Sequence, residues 1–180
     1  MRIAIYCGSS RGLDPVFQTA AADLARHLVS QGIGIVYGGG NVGLMGVIAD
    51  AAMSAGGEVI GVIPESLLAK ELGHGGVTEL RVVRSMHERK QMMVDLSDAF
   101  IALPGGFGTL DELFEMLTLV QTRKVKPTPV LLYGSDYWKR LIDFEWMVTS
   151  GTISKEDLAC FKYVDSPAEA WTEIQTLLPC

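Results

Sequence analysis

The chain has 180 residues, is 48% hydrophobic and 20% charged, and carries a formal net charge of -6. That length suits one domain with a full core, the composition argues against disorder, and the acidic balance argues against a general nucleic-acid-binding surface while leaving room for a local basic pocket. Three cysteines, Cys7, Cys160 and Cys180, are odd in number and lack CxxC spacing, which favours reduced thiols in the cytoplasm over a disulfide or zinc framework.

Strands and helices are predicted to alternate along residues 1–180, read as a single domain. The N-terminal residues are too few for a secretion signal and read directly as a strand, and no apolar run approaches the ~18 residues of a membrane span. Ile3–Cys7, Gly34–Tyr37, Val59–Ile63, Leu80–Val83, Ala99–Leu103 and Val130–Tyr133 are short runs rich in Val and Ile, the pattern of strands buried on both faces of a parallel sheet. Asp14 and Pro15 open a helix that runs to about Gln31 and stops at Gly32. Ser85 with Glu88 predicts a capping box. Ser135 opens a helix towards Gly151, and Ser154 with Asp157, then Ser166-Pro167 with Glu169, start two more. Trp138, Trp146 and Trp171 are expected as packing anchors of these C-terminal helices. The fold class that follows is α/β, a three-layer, doubly wound parallel sheet of Rossmann-like type.

Ligands of such folds bind at the carboxyl ends of the strands. Four segments collect there: Cys7–Gly12, Tyr37–Gly46, Ser85–Lys90 and the run Pro104-Gly105-Gly106-Phe107-Gly108-Thr109-Leu110-Asp111-Glu112. The last is the most informative. A strand, a glycine turn and a helix leave unpaired N–H groups at a positive helix end, where a phosphate binds well. Gly105, Gly106 and Gly108 allow close approach, Thr109 adds a hydroxyl, and Glu112 follows one turn later, next to whatever sugar the phosphate carries. No lysine follows the glycines as in a nucleotide triphosphatase, and no acid is placed for the ribose of a dinucleotide. Gly39 and Asn41, in Gly38–Gly46, are candidate nucleotide contacts, with a tight strand-to-helix packing turn as the alternative reading of this glycine loop.

Arg89 and Lys90 lie near the start of a helix, where cations are unfavourable unless an anion is close. Glu112 and Glu115 share a helix face, whereas Asp111 points elsewhere and is read as dipole stabilisation only. Met86, Met92, Met93 and Met116 read as core or pocket wall, and His27 and His74 as incidental.

These motifs, Gly38-Gly39-Gly40 through Gly43-Leu44-Met45-Gly46, Met86-His87-Glu88-Arg89-Lys90 and Pro104–Glu112, resemble the LOG (Lonely guy) family of cytokinin riboside 5′-monophosphate phosphoribohydrolases, long labelled possible lysine decarboxylases. The resemblance implies a Rossmann-like homodimer that hydrolyses the N-glycosidic bond of a nucleoside 5′-monophosphate without metal or cofactor. It implies Arg89 and Glu112 as the catalytic pair, Gly105, Gly106, Gly108 and Thr109 as the phosphate loop, and Lys90 and Glu115 as lining. Two other readings stay open: a purine-nucleotide hydrolase with AMP as main substrate and no hormone role, and a non-catalytic nucleotide or cofactor carrier on the same scaffold. A pyridoxal-dependent decarboxylase is disfavoured, because no lysine has a Schiff-base context.

Overall fold

A computed structural model describes residues 1–178, so the reduced thiol expected at Cys180 lies outside the described residues. The apolar runs become strands β1 (Arg2–Tyr6), β2 (Gly34–Tyr37), β3 (Val59–Pro64), β4 (Glu79–Val83), β5 (Ala99–Ala102), β6 (Val130–Tyr133) and β7 (Lys162–Val164). They form one sheet in the order β4-β3-β2-β1-β5-β6-β7, with every neighbouring pair parallel. The inner strands are apolar along their length because both of their faces are covered. β7 escapes a reading based on apolar runs: it has three residues, begins with an exposed lysine, and sits at an edge, where one side needs no burial.

The helices are α1 (Val16–Ser30), α2 (Gly43–Ser54), α3 (Glu65–Leu68), α4 (Met86–Asp95), α5 (Phe107–Gln121), α6 (Ser135–Leu141), α7 (Phe144–Thr149) and α8 (Pro167–Leu177). One face of the sheet packs against α1, α2 and α8 through Ile3, Ile5, Leu24, Leu28, Ile48 and Ile174. The other packs against α4 to α7 through Ala4, Tyr6, Met93, Leu113, Met116 and Trp138. Trp138 is fully buried and its indole N–H is shared between the carbonyls of Ala102 and Tyr133, at 3.2 and 3.1 Å.

Four local expectations change. The helix from Ser135 breaks at Ile142, which is extended, and restarts when Asp143 accepts the Trp146 N–H at 2.8 Å. Trp146 is 67% exposed and anchors no core. The Ser154–Asp157 capping box forms, but it opens a 3-10 turn, Lys155–Cys160. Ser85 does cap α4, accepting the Glu88 N–H at 3.1 Å, while the Glu88 carboxylate reaches the Arg84 N–H at 2.9 Å, one residue short of a capping box. Among the described residues no helix is long and apolar enough to cross a membrane.

Strand order reverses beside β1: β2, β3 and β4 lie on one side, and β5 starts the other. The crevice of a doubly wound sheet opens at such a reversal, above the carboxyl ends of β1 and β5.

Candidate active site

The loops after β1, β2 and β5 meet at this reversal. The Gly8 N–H donates to the Pro104 carbonyl at 3.2 Å, and the Leu44 N–H of α2 donates to Gly8 at 3.0 Å. Gly43, with φ +61°, lets α2 start directly against Ser9, whose backbone would collide with any Cβ there.

α5 begins at this edge with Gly106 as its N-cap and no side chain capping it. The first N–H groups of the helix, at Phe107, Gly108 and Thr109, therefore face the crevice as donors at the positive end of the dipole. Thr109 is buried and its hydroxyl lies against Gly105, where a Cβ would collide with it. A Cβ on Gly106 or Gly108 would meet no protein atom within 4 Å, so this chain's own packing does not require glycine there. The Tyr137 hydroxyl holds the loop from below, donating to the Gly105 carbonyl at 2.6 Å.

Glu112 follows one turn into α5 and points inward, 7% exposed, with Oε1 shielded from solvent and lacking a hydrogen-bond partner. Opposite it stands Arg89 of α4, 6% exposed, with Nη1 at 3.5 Å from that oxygen. Arg89 is held from behind: Nε donates to the Val62 carbonyl at 3.0 Å and Nη2 to the Gly38 carbonyl at 3.1 Å. Gly38 is required for this, because a Cβ there would overlap Nη2. Two carbonyls, one within β3 and one just after β2, thus offset the cost of burying a guanidinium near a helix start, and leave Nη1 turned to the cleft. Burial pushes the Glu112 carboxyl up to about 7, against the pull of Arg89. A carboxyl that gains and loses its proton near neutrality, next to a fixed cation, is equipped for proton transfer and for stabilising positive charge.

The adjacent residues behave differently. Lys90 binds Asp111 at 3.0 Å and also Glu115, fastening α4 to α5 on the outer seam. Burial alone would lower the Lys90 pKa, but hydrogen bonds to Glu115 and Asp111 outweigh it and hold the ammonium above its ordinary value. This corrects the reading of Asp111: it is a direct partner of Lys90 as well as a residue of the early helix. Asp111 and Glu115 are four residues apart and share a face of α5, so one ammonium on a long stem reaches both across the seam.

Gly39 and Asn41 sit on the β2–β3 side of the cleft. Gly39 has φ +78° and its carbonyl accepts the His74 N–H at 3.0 Å, so it is a tight packing turn. His74, expected to be incidental, knits this region: it is 8% exposed, with Nε2 3.0 Å from Asp50 and Nδ1 accepting the Gly76 N–H at 3.1 Å. The exposed Asn41 is tied by its N–H to the carbonyls of Glu71 and Leu72, at 2.9 and 3.1 Å. Met86 opens α4, 38% exposed, with its sulfur 4.0 Å from Arg89 Nη1, at the mouth of the cleft.

Sequence reasoning missed Glu71. It lies between α3 and β4 and carries a shielded carboxylate oxygen without a hydrogen-bond partner, in the fields of Arg89 and Glu112. It belongs to no motif. The signal that finds it is the carboxyl-edge rule applied to the strand Val59–Ile63, whose following segment carries Glu65 and then Glu71, the latter directly before the glycines Gly73, Gly75 and Gly76.

The family described as possible lysine decarboxylase matches residues 45–174. Cytokinin riboside 5′-monophosphate phosphoribohydrolase LOG3 of Arabidopsis thaliana is 42% identical over 99% of this chain and 84% of that protein. The corresponding LOG of Oryza sativa subsp. japonica is 45% identical over 87% of this chain and 64% of that protein. Among solved structures, the Moco carrier protein of Chlamydomonas reinhardtii superposes with a TM-score of 0.71 at 20% identity, covering 98% of this chain and 96% of that one. The molybdenum cofactor binding protein of Rippkaea orientalis gives 0.70 at 22%, covering 97% and 95%. The last two share the fold; the sequence matches, extending through both the Arg89 and the Glu112 segments, carry the relationship, and the chain belongs to the LOG family.

Proposed function

We propose that this chain hydrolyses the N-glycosidic bond of an adenine-type nucleoside 5′-monophosphate, with or without an N6 substituent, releasing the free base and ribose 5-phosphate. The observation that carries the reading is the placement of Glu112: buried, one turn beyond an uncapped helix start, and facing a guanidinium fixed by two carbonyls. The 5′-phosphate binds the N–H groups opening α5 and the Thr109 hydroxyl, with Gly105, Gly106 and Gly108 making room. The ribose then lies along Glu112. As the bond to the base lengthens, positive charge builds on the sugar; ionised Glu112 stabilises it and takes a proton from the attacking water. Arg89 stabilises the negative charge leaving with the base, since a guanidinium does not release protons near neutral pH. Lys90 and Glu115 line the outer side and keep α4 and α5 in register. Water and these side chains suffice, so no cofactor is assigned.

The names of the plant relatives support this substrate class. Decarboxylation of lysine through a Schiff base would need a free lysine at the cleft, whereas Lys90 is engaged by two carboxylates. Incubation with AMP and with N6-isopentenyl-AMP, with released base measured by chromatography, tests the reading and ranks the substrates. Release from neither would favour the carrier alternative. We further assign a homodimer, supported by Leu110 and the partly exposed Phe114 along the outer face of α5; sedimentation is expected to give twice the 19.5 kDa chain mass. A cytoplasmic location fits the free thiols Cys7 and Cys160.

A further inference from the structure

Bond cleavage of this kind needs two proton movements, and the residues assigned so far perform one of them. Glu112 accepts a proton from water on the sugar side. The departing purine must receive one, and Arg89 cannot supply it.

Glu71, in the loop after α3, is close enough to feel both Arg89 and Glu112. Its N–H donates to the Leu67 carbonyl at 2.8 Å, its carbonyl accepts the Asn41 N–H at 2.9 Å, and an antiparallel bridge between Gly40 and Gly73 closes the loop around it. Gly40 permits that closure, since a Cβ there would come within 3.1 Å of Glu71 Cβ. The backbone of Glu71 is therefore fixed at the edge where the Gly38 carbonyl holds Arg89. Its side chain is half-buried, and Oε2 is shielded with no donor to satisfy it. The charged and titratable groups around it are Arg89 of α4, Lys70 of its own loop, Glu112 of α5 and Cys7 after β1. Burial raises its carboxyl pKa, with Arg89 and Lys70 pulling the other way. Leaving a shielded oxygen unpaired costs about 1–3 kcal/mol, more when it is ionised. A protonated carboxyl becomes a donor instead and turns that cost into reach for an acceptor.

With the phosphate at the start of α5 and the ribose along Glu112, as proposed above, the base extends on the Arg89 side, where the loop that holds the guanidinium through Gly38 packs on Glu71 through Gly40. On the nucleotide-hydrolase reading above, we infer that Glu71 is the acid that protonates the leaving base. Its carboxyl O–H gives its proton to a ring nitrogen of the purine as the C1′–N9 bond breaks and the bonding pair stays with the base. The water oxygen bonds to C1′ and its proton passes to Glu112. The cycle leaves free base, ribose 5-phosphate, an ionised Glu71 and a protonated Glu112, and exchange with solvent restores both groups.

The test compares wild type with Glu71→Gln, which keeps size and shape, using AMP from pH 5 to 9. The expected result is a fall in kcat of about 100-fold, the lower range for removal of a general acid, with KM within about threefold. The alkaline fall of the wild-type kcat/KM profile, where the acid loses its proton, disappears in the variant. An unchanged alkaline limb, or a rise in KM at unaltered kcat, overturns the proposal and makes Glu71 a base-binding residue. An unaltered melting temperature and ribose 5-phosphate affinity confirm that the variant is folded. Failure of the wild type to release base from either AMP or N6-isopentenyl-AMP overturns the hydrolase reading itself, a different result from any of these.

Discussion

Arg89 and Lys90 are consecutive on α4, and Asp111 and Glu112 are consecutive on α5, yet the two pairings they make are opposites. On the outer seam Lys90 meets Asp111 at 3.0 Å and Glu115 as well, a closed and partly solvated cluster. On the inner side Arg89 and Glu112 face each other at 3.5 Å, both under 10% exposed, with a Glu112 oxygen left without a hydrogen bond. In the outer cluster both acids are in direct ion-pair contact with one ammonium, which ties the two helices together. The inner pair keeps unspent interaction for something that enters between its members, and the carboxyl carries the penalty as a raised pKa. Contact distance and depth of burial, rather than charge alone, separate the group that holds the helices from the group proposed to react.

The comparison can be broken most directly at Glu112. Glu112→Gln is expected to lower turnover by about 1,000-fold or more while ribose 5-phosphate still binds within about threefold, because the α5 amides are untouched. Base-release assays and calorimetry check both halves, and near-normal turnover would sink the role of this carboxylate. Gly38→Ala strikes the other member without touching its charge: the new Cβ displaces the Arg89 guanidinium, and kcat should fall about 100-fold, the scale of a ~1 Å misplacement.

The cost of burial should also be visible in stability. Glu112 has a folded pKa of about 7 against an ordinary value of 4.5, so between those limits the folded protein binds the extra proton. Stability is then lost as pH rises through that window. Glu112→Gln, which mimics the protonated acid, should be more stable than wild type by ~3 kcal/mol above pH 7, and by nothing below about pH 4.5. Urea melts at a series of pH values measure this directly. Activity runs the other way, because the base must be ionised: wild-type kcat/KM on AMP should climb with pH through about 7. The smallest expected effect is on the outer seam. Lys90→Met should cost about 1 kcal/mol, as partly exposed ion pairs do, and leave kcat within about tenfold. A loss as large as that of Glu112→Gln would place Lys90 in the chemistry and erase the distinction.

Much of this was legible in the chain itself. Periodicity gives six strands to within a residue or so, because strands buried on both faces must be apolar throughout, and it misses β7 because an edge strand need not be. The uncapped glycine start of α5 with Thr109 and an inward Glu112 was legible because glycine, hydroxyl and acid are tied to one short helix start, while the pairing of Glu112 with Arg89 comes from the family resemblance. Glu71 was not, since its place depends on a Gly40–Gly73 bridge and on an irregular loop, which local patterning does not encode. Nor was the partnership of Lys90 with Asp111, which rests on how far a long side chain reaches between two helices.

Arg89 is moored to the carbonyls of Val62, within β3, and of Gly38, the buried residue that follows β2, and not to any exposed loop. Side chains of the segment 65–78 other than Glu71 can therefore be varied without moving the guanidinium. That makes their positions the natural place for laboratory recombination to alter which base is accepted, provided the acid at 71 is kept.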